Sequence, residues 1–146
     1  MVVGQDRRRP PVHRVASPNV VDEVLELEIE ADPRSSSRAR RSVASWLAAK
    51  DFPGEQLDDW LIVVSEIVTN AVLHARTPSR IVVRWNGRRV LVEVFDGRAD
   101  ELPNVRDEPP AVGGRGLFLV EQLSTEWGVE SVPSGKCVWA ALETAP

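Results

Sequence analysis

Residues 56–75 read QLDDWLIVVSEIVTNAVLHA, and no other stretch of the 146-residue chain is periodic for as long. Leu57, Leu61, Val64, Val68, Ala71 and Ala75 recur at spacings of three and four, which lays one continuous apolar stripe along an α-helix. A stripe of this length marks a central helix packed on a core. Glu66, Asn70 and His74 follow one another at intervals of four, so they share a second face beside the stripe. Any amphipathic helix turns polar residues to water. These polar residues also have chemistry, because a glutamate can take a proton and an amide carbonyl is the hard oxygen ligand that Mg2+ prefers. They gain meaning only if a phosphate site lies nearby.

Working outward, Thr77-Pro78 stops the helix, since the residue before proline is pushed out of the helical region. Ile81–Trp85 and Val90–Phe95 then read as two strands joined at Asn86-Gly87, a pair that fits the primed hairpin turns. On the N-terminal side, Leu25, Leu27 and Ile29 alternate with Glu26, Glu28 and Glu30, the signature of a strand with one face on a core. Asp32-Pro33 ends it. Ser35, Ser36 and Ser37 offer N-caps to a helix carrying Ala39, Val43, Trp46, Leu47 and Ala49, which Phe52-Pro53-Gly54 closes. Beyond the hairpin, residues 96–113 form a long loop with Pro103, Pro109 and Pro110; a loop of that length in a compact domain is usually functional or disordered. A helix over 114–123 and a second hairpin, Trp127–Val132 and Cys137–Leu142, complete the chain. The order strand, helix, helix, two strands, loop, helix, two strands predicts an α+β two-layer sandwich, with helices on one face of a mostly antiparallel sheet.

Length and composition narrow the class. The chain is 42% hydrophobic and 27% charged, which fits one domain over 23–146 preceded by a mobile tail, 1–22, that lacks periodicity. Cys137 is the sole cysteine, so neither a disulfide framework nor a cysteine zinc site is available, and a reducing, cytoplasmic compartment is expected. No apolar run approaches the roughly 20 residues that span a bilayer. Eighteen basic against twenty-two acidic residues give a formal charge of -4, which argues against nucleic acid as a partner.

Two further places carry candidate chemistry. Gly113-Gly114-Arg115-Gly116-Leu117 joins the long loop to a predicted helix, where glycines admit close approach and the first helical amides attract anions. Asp96 sits where a strand meets the loop and is followed at once by Gly97; a carboxylate there can accept a hydrogen bond from an amino group such as that of adenine. Each feature alone has an ordinary conformational explanation. Their joint order is far more specific.

Glu66-x-x-x-Asn70, then Asp96-Gly97, a long loop and Gly114-x-Gly116 together resemble the GHKL (Bergerat-type) ATP-binding fold of gyrase, heat-shock chaperones, histidine kinases and mismatch-repair ATPases. The string from Val64 to Ala75 is similar to the N box of its anti-sigma-factor serine/threonine kinase branch. The resemblance implies ATP and Mg2+ as cofactors and a serine or threonine acceptor on an antagonist protein. Asn70 would hold Mg2+, Glu66 would position or deprotonate the attacking hydroxyl, and His74 would pack near the site. Asp96 would recognise the adenine amino group, with Gly97 beside it. Residues 98–112 would form the ATP lid, and the amides around Gly114, Arg115, Gly116 and Leu117 would cradle the phosphates. The family's usual glycine-threonine near the adenine is replaced here by Gly135-Lys136-Cys137, leaving Cys137 as a weaker hydrogen-bond partner. Partners implied are a sigma factor and an anti-anti-sigma antagonist, and the first strand and helix, with Trp46, offer surface for a homodimer. Two other readings compete: a non-catalytic ATP-binding module that sequesters a partner, and a detached histidine-kinase-like catalytic domain.

Overall fold

A computed structural model describes residues 22–75, 78–97, 115–133 and 135–144. Along them run β1 (Glu23–Ile29), α1 (Ser35–Ala48), α2 (Gly54–Ala75), β2 (Ser79–Trp85), β3 (Arg89–Asp96), α3 (Arg115–Leu123), β4 (Glu126–Val132) and β5 (Gly135–Glu143). The strands form one sheet in the order β1-β2-β3-β5-β4, and every neighbouring pair is antiparallel. The architecture is thus the α+β sandwich that the element order predicts. The segments 1–21 and 98–112, read above as a tail and a lid, lie outside the described residues.

Side chains alternate across a sheet, and here one set faces the helices. Ile81 and Val83 of β2, Val90, Val92 and Val94 of β3, Val138 and Ala140 of β5, and Trp127 and Val129 of β4 join Val43, Leu47, Trp60, Val64, Ile67 and Val68 in the main core. Each such aliphatic residue contributes about 1.5–3 kcal/mol by leaving water. α2 is the centre of this layer, packed against α1 on one flank and α3 on the other. That position buries Trp60, Val63, Ile67 and Val72 in addition to the stripe read from the sequence, because three sides of the helix meet protein. None of the described helices is long and apolar enough to cross a membrane.

Two local expectations are corrected. None of the three serines caps α1: the N-cap is Arg34, whose own side chain makes no capping bond. The hydroxyls act as donors instead, Ser35 Oγ to the Glu30 carbonyl at 2.7 Å and Ser37 Oγ to the Arg34 carbonyl at 3.3 Å. Asp32 takes the organising role, accepting from the Arg34 amide at 2.8 Å. The β2–β3 turn is also centred one residue later than Asn86-Gly87: Trp85 pairs with Val90 and the Asn86 amide donates to the Arg89 carbonyl at 3.4 Å, which leaves Gly87 and Arg88 at the tip. Asn86 Oδ1 accepts from the amides of Arg88 at 2.9 Å and Arg89 at 2.8 Å, an Asx-type closure, while Gly87 supplies a φ of 91°.

Candidate functional site

α2 carries the first half of the site. Ser36 of α1 donates to the Ser65 carbonyl at 3.2 Å and receives the Thr69 hydroxyl at 2.9 Å. These two bonds fix the rotation of α2 beside its neighbours Glu66 and Asn70. Glu66 is half-buried; Asn70, one turn on, is only 8% exposed. Its Oδ1 is sealed from water and accepts no hydrogen bond from the described residues. A buried acceptor left in that state costs about 1–3 kcal/mol, and the group is the hard, neutral oxygen that suits Mg2+. Among the described residues no group of three or more His, Cys, Asp or Glu side chains converges on a metal position. A cation here would rest on Asn70, on water and on the oxygens of its own ligand, which is the habit of Mg2+ with phosphates. The residues present therefore fit that group. His74 continues the same line of α2, but its side chain lies outside the described set.

The second half is built where β3 ends. Asp96 stands in line with Val90, Val92 and Val94, so its carboxylate is on the helix-facing side of the sheet. Directly opposite in the β3–β5 ladder is Lys136, in line with Val138 and Ala140. Lys136 Nζ lies 3.2 Å from Asp96 Oδ2, and both side chains are 1% exposed. The carboxylate expected to await an adenine amino group thus already holds a cation inside the protein. Desolvating two charges is costly, and only close pairing offsets it. Gly135, at φ 154°, is required just before the lysine, because a Cβ there would collide with the Asp96 carbonyl.

Cys137 is displaced from its expected role by the same alternation. Its side chain points to the sheet face away from the helices, in a cluster with Leu91, Trp139 and Ala141. Lys136, which the sequence reading passed over, occupies the position beside Asp96. Parity could have found it: a lone lysine two residues before Val138 and four before Ala140 must share their face. Gly97 follows Asp96 at the exposed end of the strand. Leu117 is anchored in the main core, so it can offer a ligand only its main chain. Arg115 and Gly116 open α3, with side chains outside the described set, and Gly113 and Gly114 fall before it, outside the described residues. The structure therefore sets Glu66 and Asn70 together on α2, and Asp96 with Lys136 at the β3–β5 junction.

A family model described as histidine kinase-like ATPase domain matches residues 29–142. The serine-protein kinase RsbW of Bacillus velezensis is 27% identical over 124 residues, which cover 73% of this chain and 78% of that protein. Among solved structures, the RsbU and RsbW domains of a Mycobacterium tuberculosis protein align with a TM-score of 0.65 and 19% identity. The alignment takes in 83% of this chain and 32% of that one, so this chain spans about a third of the longer molecule, and the likeness speaks to fold.

Proposed function

The chain belongs to the histidine kinase-like ATPase domain family, and from that premise we propose that it binds ATP with Mg2+ and phosphorylates a serine or threonine of an antagonist protein. In this reading it acts in the cytoplasm and holds a sigma factor when the antagonist does not engage it. The observation that carries the proposal is the orphaned Oδ1 of Asn70, one helical turn from Glu66. The 27% identity to a serine-protein kinase supports the choice of acceptor.

The roles follow from what each side chain can do. Asn70 Oδ1 holds Mg2+, which when bound neutralises charge on the ATP phosphates. Glu66 orients the acceptor hydroxyl and takes its proton as the oxygen becomes bonded to the γ-phosphorus, whose bond to the bridging oxygen breaks and releases ADP. Asp96 accepts from the adenine amino group while Lys136 pairs with the same carboxylate at 3.2 Å. The amides around Gly114 and Gly116 donate to phosphate oxygens at the start of α3. Positioning and charge stabilisation are the main demands of phosphoryl transfer, and these residues meet them without covalent chemistry. Incubation with labelled ATP and candidate antagonists tests the proposal. Transfer to a serine or threonine is expected, falling by about 10²–10⁴-fold in Glu66→Gln, in the range for loss of a general base. Transfer by Glu66→Gln at the wild-type rate would remove Glu66 from that role.

A second reading is favoured by the Lys136–Asp96 pair. If the lysine holds the carboxylate too closely for adenine to share it, the domain works as a partner-sequestering module without transfer. Labelled phosphate reaching any antagonist excludes that reading.

A further inference from the structure

The β3–β5 junction holds one side chain that recognition of adenine does not require. A carboxylate alone suffices to accept from an exocyclic amino group, yet Asp96 faces Lys136 across the last rung of the ladder, Nζ to Oδ2 at 3.2 Å. Gly135, which precedes the lysine, has no Cβ to meet the Asp96 carbonyl, so the two strands close tightly at this rung. Beyond it β3 runs into Gly97, which is exposed. Lys136 is wholly buried, and alternation puts it with Val138 and Ala140 on the side of the sheet where α2 lies.

An ammonium carries three N–H donors and no acceptor. Among the described residues Lys136 Nζ donates no well-aligned hydrogen bond, so its contact with Asp96 is one of charge. Keeping donors of a buried cation without acceptors is costly. A ligand that offers an acceptor beside Asp96 removes that cost. Carboxylate and ammonium side by side are an acceptor and a donor, and together they read the edge of a purine in two ways. Adenine presents a donor at its 6-amino group and an acceptor at N1; Asp96 accepts from the first and Lys136 donates to the second. A 6-oxopurine, hypoxanthine or guanine, reverses the two, with an acceptor at O6 and a donor at N1. A carboxylate alone would meet O6 acceptor to acceptor and reject it. With Lys136 in place the ammonium donates to O6, a contact lysine commonly makes with guanine, while Asp96 accepts from N1–H. Positions 6 and 1 are neighbours on the ring, and lysine's flexible stem and rotatable donors serve either. A carboxylate has about four lone-pair sites, enough for the lysine and the base to share it.

We propose that Lys136 is a specificity-determining residue that opens the nucleotide site to 6-oxopurine triphosphates alongside ATP, a step that rests on the nucleotide-binding function proposed above. Calorimetric titration of the full-length wild-type chain in Mg2+ compares ATP, inosine triphosphate and purine riboside triphosphate, which differ only at positions 6 and 1 of the base. Inosine triphosphate is expected to bind within about tenfold of ATP, and purine riboside triphosphate, which gives Asp96 nothing to accept from, at least about tenfold more weakly than either, the scale of one base contact. Inosine triphosphate binding more than about tenfold weaker than ATP overturns the proposal. Equal binding of all three overturns it too, because the base edge would then go unread. In a second arm, Lys136→Thr is expected to weaken inosine triphosphate about 10- to 100-fold more than ATP. A lysine that only holds the strands together would weaken both alike, and that result overturns the proposal; the wild-type comparison needs no variant to fold. Failure of ATP itself to bind at millimolar concentration overturns the nucleotide-binding function and this inference with it, whereas ATP binding without inosine triphosphate overturns this inference alone.

Discussion

Asn70 keeps a carbonyl oxygen out of water with nothing among the described residues to accept from, so its removal should cost the fold little. Asn70→Ala is expected to unfold in urea within about 1 kcal/mol of the wild type, since the variant loses an unsatisfied acceptor rather than a bond. A much larger loss would make the amide structural. Lys136 behaves in the opposite way. Lys136→Met removes the cation from a pair whose side chains are both 1% exposed, and loss of one partner of such a pair costs about 3–5 kcal/mol. Adding Asp96→Asn in the same chain should recover most of that, and urea unfolding of the two single variants and the double measures the coupling; a double variant as unstable as the sum would deny the pairing. The sequence made Glu66, Asn70 and Asp96 legible because helical spacing and a strand end are local signals. It did not reveal that Asp96 meets Lys136. That contact depends on the register between β3 and β5, strands separated in the chain by residues 97–134, which include α3 and β4.

Periodicity located every element to within a few residues of its ends, because each one buries at least one well-marked face. Terminal chemistry was harder to read, as the serines at the start of α1 show: a hydroxyl is both donor and acceptor, and here carbonyls claimed the protons. Asp32 is the organising group at that corner. Hydrogen bonds from the Arg34 side chain, then from its backbone, hold the Asp32 carboxyl below its ordinary value of 3.8. A lowered folded pKa stabilises the fold above the unfolded pKa and ceases to do so as the pH falls through the folded value. Asp32→Asn should therefore be less stable than the wild type at neutral pH, with the gap closing below about pH 4; thermal unfolding across that range checks it. At the start of β5, Gly135→Ala must move either the strand or the Asp96 main chain. We expect a loss of about 1–3 kcal/mol, typical of overpacking, read by thermal unfolding, together with weakened nucleotide binding. Unchanged stability would show that the β3–β5 junction yields freely.

For the whole molecule, element order made the sandwich legible while strand order stayed hidden. β5 inserts between β3 and β4, so the chain crosses to the far edge before it returns, and nothing local encodes that step. The second apolar face was present in β3 and β5 as residues of the other parity, but a search for one buried face does not look for a second. Sheet and helices together make a frame that sets Asn70 and Glu66 on α2 and Asp96 with Lys136 at the β3–β5 junction, and in the proposed function this frame binds Mg-ATP. The most direct measurement is calorimetric titration of ATP into the full-length chain, with Mg2+, with EDTA, and with Asn70→Ala in place of the wild type. Saturable binding that needs Mg2+ and disappears in Asn70→Ala is the expected result. Absence of binding at millimolar ATP, or binding that ignores both EDTA and the Asn70 substitution, would contradict it.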